Sequence, residues 1–362
     1  MSETRDFESH TLPDDGLPAN AKRLLALRGR SLSPASQVGP SRRGFVAALL
    51  GTAFFPHTSG TAQPAEPPFS VSDFDWIDPA RSRPVPARLY WPAQAAGEGS
   101  VPLMVFSHGI GGSRQGYSYL GKHWSSHGVA SLHVQHTGSD AALWRGNPFG
   151  VVGRLQAAAQ ESEALARAAD VRFALDRVLS GEAGPPATAV DRQRIVAAGH
   201  SYGANTTLLT IGAQVTRNGR LIDCLDQRFS AALVISAPPF YGETDLAAVF
   251  GRVNVPTMHV TATEDVIQIP GYKSPAADRL AIFDAIAGEQ KLLTVFRGGS
   301  HSMFTDRPMT GGLALNPKVK QATAELGLAF LDLVYASNRT PLLRWQSDWK
   351  PILARAPVPE HT

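Results

Sequence analysis

The chain has 362 residues, 43% of them hydrophobic, enough to bury a large core in one or two domains. Its formal net charge is +3, of which residues 1–62 supply +2 (seven Lys/Arg minus five Asp/Glu). The remainder is close to neutral, holds no basic run and carries no electrostatic footprint for nucleic acid. The single cysteine, Cys224, excludes an intrachain disulfide and a cysteine-rich metal site, and is read as a half-buried packing residue.

In chain order, Ser41-Arg42-Arg43-Gly44-Phe45-Val46 has the form of a twin-arginine export motif. The apolar run from Phe45 to Phe55 has eleven residues. That is too short for a bilayer span, which needs about 20, and suits the core of a signal sequence. A small-x-small site, Gly60-Thr61-Ala62, follows. Residues 1–62 are therefore read as a twin-arginine-type signal and 63–68 as a Pro-rich linker. The mature chain would begin near Gln63, periplasmic or extracellular, with no stable membrane anchor.

From Phe69 onward short apolar runs alternate with helical segments. Strands are expected at Val85–Tyr90, Pro102–Ser107, Val129–Val134, Ile195–Ala198, Ala231–Ile235, Thr257–Thr261 and Leu292–Phe296. Helices are expected at Gln115–His127, Leu155–Leu179, Ala204–Val215, Ala276–Ala287 and Pro317–Ala336. Strands separated by helices imply parallel pairing, and continuous rather than alternating apolar runs imply a sheet covered on both faces. The fold class is thus α/β, one domain over 69–338, with a tail at 339–362 whose Trp345 and Trp349 should pack on it.

Gly199-His200-Ser201-Tyr202-Gly203 sits between a predicted strand and a predicted helix. A serine on a sharp strand-to-helix turn needs small neighbours because the backbone is crowded there, which is the mechanical content of G-x-S-x-G. Ser201 is the candidate nucleophile, and a serine hydroxyl needs a base. Among eleven histidines, His301 lies in Gly298-Gly299-Ser300-His301-Ser302-Met303, just after the last predicted strand. His200 is set aside as facing away from Ser201, and His133 and His136 precede the serine; two such histidines are also too few for a metal. An orienting carboxylate is expected after the strand Thr257–Thr261, at Asp265, with Glu264 as the alternative. The order Ser, Asp, His is that of an α/β-hydrolase. An oxyanion hole would use the backbone N–H of Tyr202 and that of Ile110, or Gly109, in Ser107-His108-Gly109-Ile110-Gly111-Gly112. No Lys-Ser/Thr follows those glycines, so they do not read as a phosphate loop, and no cofactor or metal is called for.

These segments resemble serine α/β-hydrolases of the dienelactone-hydrolase-like type, close in pattern to platelet-activating-factor acetylhydrolases, over roughly residues 70–336. The resemblance implies ester hydrolysis through an acyl-enzyme. Dienelactone hydrolases use cysteine at the elbow, where this chain has Ser201, so that activity does not carry over. About twenty residues separate Ile235 from Thr257, too few for a large cap, so the site should be open. Ile110, Trp144, Phe149, Phe240, Tyr241, Ile267 and Met303 are candidates for its walls. The expected substrate is a small-molecule or lipid ester; a lipase, phospholipid acetylhydrolase or polyester hydrolase would use the same residues. A binding module on a retired hydrolase fold is the non-enzymatic alternative. Oligomeric state is not written in these patterns.

Overall fold

The computed structural model describes residues 68–94, 97–269, 272–307 and 313–358; the expected export signal lies outside them. The chain opens with three strands, β1 (Phe69–Asp78), β2 (Arg83–Pro92) and β3 (Val101–Ser107). Helix α1 (Ser118–Ser126), strand β4 (Ala130–Val134) and helices α2 (Val151–Ala158) and α3 (Glu161–Leu179) follow. Strand β5 (Val190–His200) runs into α4 (Tyr202–Thr210), and a hairpin of β6 (Gln214–Arg217) and β7 (Arg220–Asp223) leads to β8 (Ala231–Ile235). Next come α5 (Leu246–Phe250), β9 (Thr257–Ala262), a small hairpin of β10 (Ile267–Ile269) and β11 (Tyr272–Ser274), and α6 (Ala277–Ala285). The last elements are β12 (Lys291–Phe296), α7 (Leu315–Ala336), α8 (Thr340–Trp349) and β13 (Leu353–Arg355).

Among the described residues, nine strands form one sheet in the order β1-β2-β4-β3-β5-β8-β9-β12-β13. The six central strands, β4 to β12, are parallel, and antiparallel pairs close both edges. Successive side chains of a strand point to opposite faces. Here Leu103, Val105, Ile195, Ala197, Ala232 and Val234 enter one core with α3 and α4. Their neighbours Met104, Phe106, Val196, Ala198, Leu233 and Ile235 enter the other with α1, α7 and α8. Both faces are covered, which is why these strands read as unbroken apolar runs. The carboxyl ends of β3, β5, β8, β9 and β12 consequently share one edge of the sheet.

Two expected helices need correction, and one strand is additional to those expected. The long helix expected at Leu155–Leu179 is two helices, because Gln160 is extended (φ −67°, ψ 153°) and Glu161 and Glu163 begin a new first turn. The helix expected at Ala204–Val215 ends at Thr210, and Gly212 (φ 117°) redirects the chain into the β6–β7 hairpin. Strand β1 is not among the expected strands; it is an edge strand in which Ser70, Ser72, Asp73 and Asp75 face solvent while Asp78 is buried at its end. In the tail, the Trp345 indole donates to the Ala322 carbonyl (2.8 Å) and the Trp349 indole to Glu325 (2.8 Å), both on α7.

Candidate active site

Ser201 sits between β5 and α4 at φ 57°, ψ −123°, a conformation that costs an ordinary residue on the order of 1–3 kcal/mol. The flanking glycines make that turn possible. A Cβ at Gly203 would collide with the Ser107 carbonyl, and one at Gly199 with the Gly203 carbonyl. The Ser201 side chain meets His301, whose Nε2 lies 2.8 Å from its Oγ. On the far side of the imidazole, Nδ1–H donates to Asp265 Oδ1 at 2.8 Å. Glu264, the alternative acid, is exposed, whereas Asp265 is fully buried.

Burial by itself would raise the Asp265 pKa. The hydrogen bond to His301, the charges of His301 and Arg279, and the Ser236 hydroxyl outweigh it and hold the carboxyl well below the usual carboxylate range. Thr261 Oγ1 also donates to Asp265 Oδ2 (2.7 Å). Asp265 is therefore an anion at neutral pH, oriented by several donors rather than by one.

Beside the serine, a side chain on Gly109 would begin 3.2 Å from Ser201 Cβ, so the loop after β3 lies against the nucleophile. In that loop the Gly109 N–H points at Tyr117 Oη (3.4 Å), the Gly111 N–H bonds Ser139 O (2.8 Å) and the Gly112 N–H bonds Gly109 O (3.0 Å). Among the described residues, the Ile110 and Tyr202 N–H groups have no acceptor, which leaves them free for a ligand.

Of the proposed wall residues, Trp144 is half-exposed and its indole donates to Gly111 O (2.9 Å), so it braces the loop. Phe149 is 95% exposed and Tyr241 also faces solvent. Ile267 is partly buried in β10. Phe240 and Met303 are core instead: Phe240 packs on Phe250 (ring centroids 5.9 Å), and Met303 is fully buried. An apolar residue in a loop reads the same whether it lines a cleft or fills the space beneath it.

Several site residues escaped the sequence reading. His200 is not idle: its ring packs on His301 (4.7 Å) and its Nε2–H donates to the His301 carbonyl (3.1 Å). Burial pushes its pKa well below the ordinary value, so it is neutral, and Nδ1 accepts from the Tyr117 hydroxyl (2.8 Å). Ser236, at φ 53° just after β8, places Oγ 2.8 Å from His301 Nδ1. Its position after a parallel strand was the available signal. Arg279, nearly fully buried on α6, sets Nε 3.9 Å from Asp265. The residues His133 and His136 lie inside the fold, bonded to Ser131 and to Ser107 and Asp170.

A parallel sheet with helices on both faces, a strained serine elbow and a Ser–His–Asp chain at its carboxyl edge define an α/β-hydrolase. Residues 82–145 match the family described as platelet-activating factor acetylhydrolase, isoform II. The platelet-activating factor acetylhydrolase of Cavia porcellus is 28% identical over 178 residues, covering 42% of this chain and 38% of that protein. That of Bos taurus is 25% identical over 251 residues, covering 60% and 50%. The chain thus spans half or less of the length of these curated relatives. A ferulic acid esterase from Streptomyces cinnamoneus shares the fold, with a TM-score of 0.56 at 21% identity, covering 78% of this chain and 94% of that structure.

Proposed function

We propose that the chain hydrolyses carboxylic esters through an acyl-enzyme. The observation that carries this is the continuous hydrogen-bond path from Ser201 Oγ through both nitrogens of His301 to the buried Asp265. His301 Nε2 takes the Ser201 proton as Oγ attacks the ester carbonyl, and Asp265 stabilises the resulting imidazolium. The negative charge of the tetrahedral intermediate falls between the Ile110 and Tyr202 N–H groups. His301 then protonates the departing alcohol, and a water activated by the same nitrogen releases the acid. The names of the relatives favour a short acyl group, acetate above all.

The test is turnover of p-nitrophenyl esters from acetate to palmitate by the full chain and by Ser201→Ala. Hydrolysis concentrated on short chains, falling about 10⁶-fold in kcat in the variant, is expected. No turnover of any ester by the unmodified protein would overturn the proposal. We also propose export by the leader at residues 1–62, to be checked by loss of periplasmic protein when Arg42 and Arg43 are both replaced by Lys.

A further inference from the structure

Helix α3 carries an arginine that touches neither Ser201 nor His301 and yet is wholly inside the protein: Arg167 is 0% exposed. Every nitrogen of its guanidinium is engaged. Nε donates to Thr206 Oγ1 (2.9 Å), Nη1 to Ser139 Oγ (2.7 Å), and Nη2 to the His108 carbonyl (2.5 Å) and Ser107 Oγ (3.3 Å). The guanidinium also lies over the Tyr202 ring, 4.4 Å from its centroid.

These contacts divide into two sets. Thr206 and Tyr202 are in the first turns of α4, and Thr206 Oγ1 donates in turn to the Tyr202 carbonyl (3.1 Å). His108 begins the loop that holds Ile110, while Ser139 accepts the Gly111 N–H at its carbonyl (2.8 Å). One rigid, planar cation therefore grips both segments that carry the free N–H groups. Nothing about the fold alone demands a charge here, since taking an arginine out of water costs several kcal/mol before any partner is counted. Glu163 and Asp170, on the same helix, offset that cost; Ser139 bridges Arg167 to Glu163 by donating to its carboxylate (2.8 Å).

We propose that Arg167 is a positioning residue that sets the spacing of the Ile110 and Tyr202 N–H groups for a tetrahedral oxyanion. The inference rests on the proposed ester hydrolysis. Because it acts on the charge that develops after attack, its removal lowers kcat and leaves substrate binding nearly unchanged. Lysine keeps the charge and loses the planar fork, so it restores little.

The experiment uses the full chain with Arg167→Met, Arg167→Lys and, as a comparator, Arg83→Met. Arg83, partly buried at the start of β2, bonds Asp170 and Glu163 of α3 but neither loop, so it reports the cost of losing an arginine that pairs with this helix without touching the N–H segments. Folding is checked by circular dichroism; p-nitrophenyl acetate kinetics and affinity for a trifluoromethyl ketone, a tetrahedral mimic, are then measured. Expected for Arg167→Met is a fall of about 10²–10³-fold in kcat, the scale of one lost oxyanion donor. KM should stay within about threefold, and ketone affinity should fall in parallel with kcat. If Arg167→Met does not fold, Arg167→Lys decides by the same split. Folded variants that retain kcat and ketone affinity, or lose no more than Arg83→Met does, overturn the inference while ester hydrolysis stands. An unmodified protein that neither turns over an ester nor binds the ketone overturns both.

Discussion

Among the described residues, two Ser–His–Asp chains bear comparison. In the first, Ser201, His301 and Asp265 are joined by contacts of 2.8 Å and 2.8 Å. In the second, Ser107 Oγ lies 2.7 Å from His136 Nε2, and His136 Nδ1 lies 3.1 Å from Asp170. Distances alone scarcely separate them, but their surroundings do. The His301 side chain is 16% exposed and its serine is strained at the carboxyl edge of the sheet, whereas His136 and Asp170 have no exposure at all. Asp170 is also shared with Arg81 (2.9 Å) and Arg83 (2.9 Å), so its charge is already spoken for. Burial and the nearby Arg167, Arg83 and Arg81 push the His136 pKa well below its ordinary value, which disqualifies it as a base. A Ser–His–Asp path does chemistry when the imidazole can hold a proton and a substrate can reach the oxygen; otherwise it is a buried polar brace.

Replacing each aspartate separates the two roles. Asp265→Asn should lower kcat by about 10⁴-fold, by favouring the wrong imidazole tautomer, with a small change in melting temperature. Asp170→Asn should instead cost stability, on the order of 1–3 kcal/mol, since it removes the fully buried carboxylate of the network and leaves Arg81 to Asp78 and Arg83 to Glu163 alone. Its kcat on folded protein should change far less than that of Asp265→Asn. Denaturant unfolding with ester kinetics on both variants checks this, and equal kinetic losses would erase the distinction.

A gentler probe is pH. Burial pushes down the pKa of His108, His133, His136, His200 and His259, in the cases of His133 and His259 to about 3. In an unfolded chain each titrates near 6.5. Between about 6.5 and 3 the unfolded state therefore binds more protons, and stability falls as pH falls. Each such histidine contributes a slope of up to about 1.4 kcal/mol per pH unit. The carboxyl of Asp265, held low, adds its own loss only below about pH 4. A melting temperature dropping steadily from pH 7 to pH 5 is expected; His136→Phe should flatten that slope, and a flat profile in the unmodified protein would contradict neutral buried imidazoles.

What the amino-acid order determined by itself was whatever depends on near neighbours. Apolar runs of strand length announced a sheet covered on both faces, because each residue's face follows from its place in the strand. The spacing of Gly199, Ser201 and Gly203 announced the elbow, since the crowding at Gly199 comes from the turn's own backbone at Gly203; that Gly203 in turn abuts the distant Ser107 carbonyl was decided by the tertiary fold. Tertiary structure decided what depends on distant partners. Glu264 and Asp265 are adjacent carboxylates, and the hydrogen bonds of Thr261 and His301 select which one is buried. Phe240 and Met303 became core rather than wall because of what packs over them. Arg167 and Arg279 look like solvated helix charges in one dimension. They are buried because acceptors and counter-charges from β3, α4, β9 and their loops converge on them, and the energy of a buried charge is set by that convergence rather than by its neighbours in the chain.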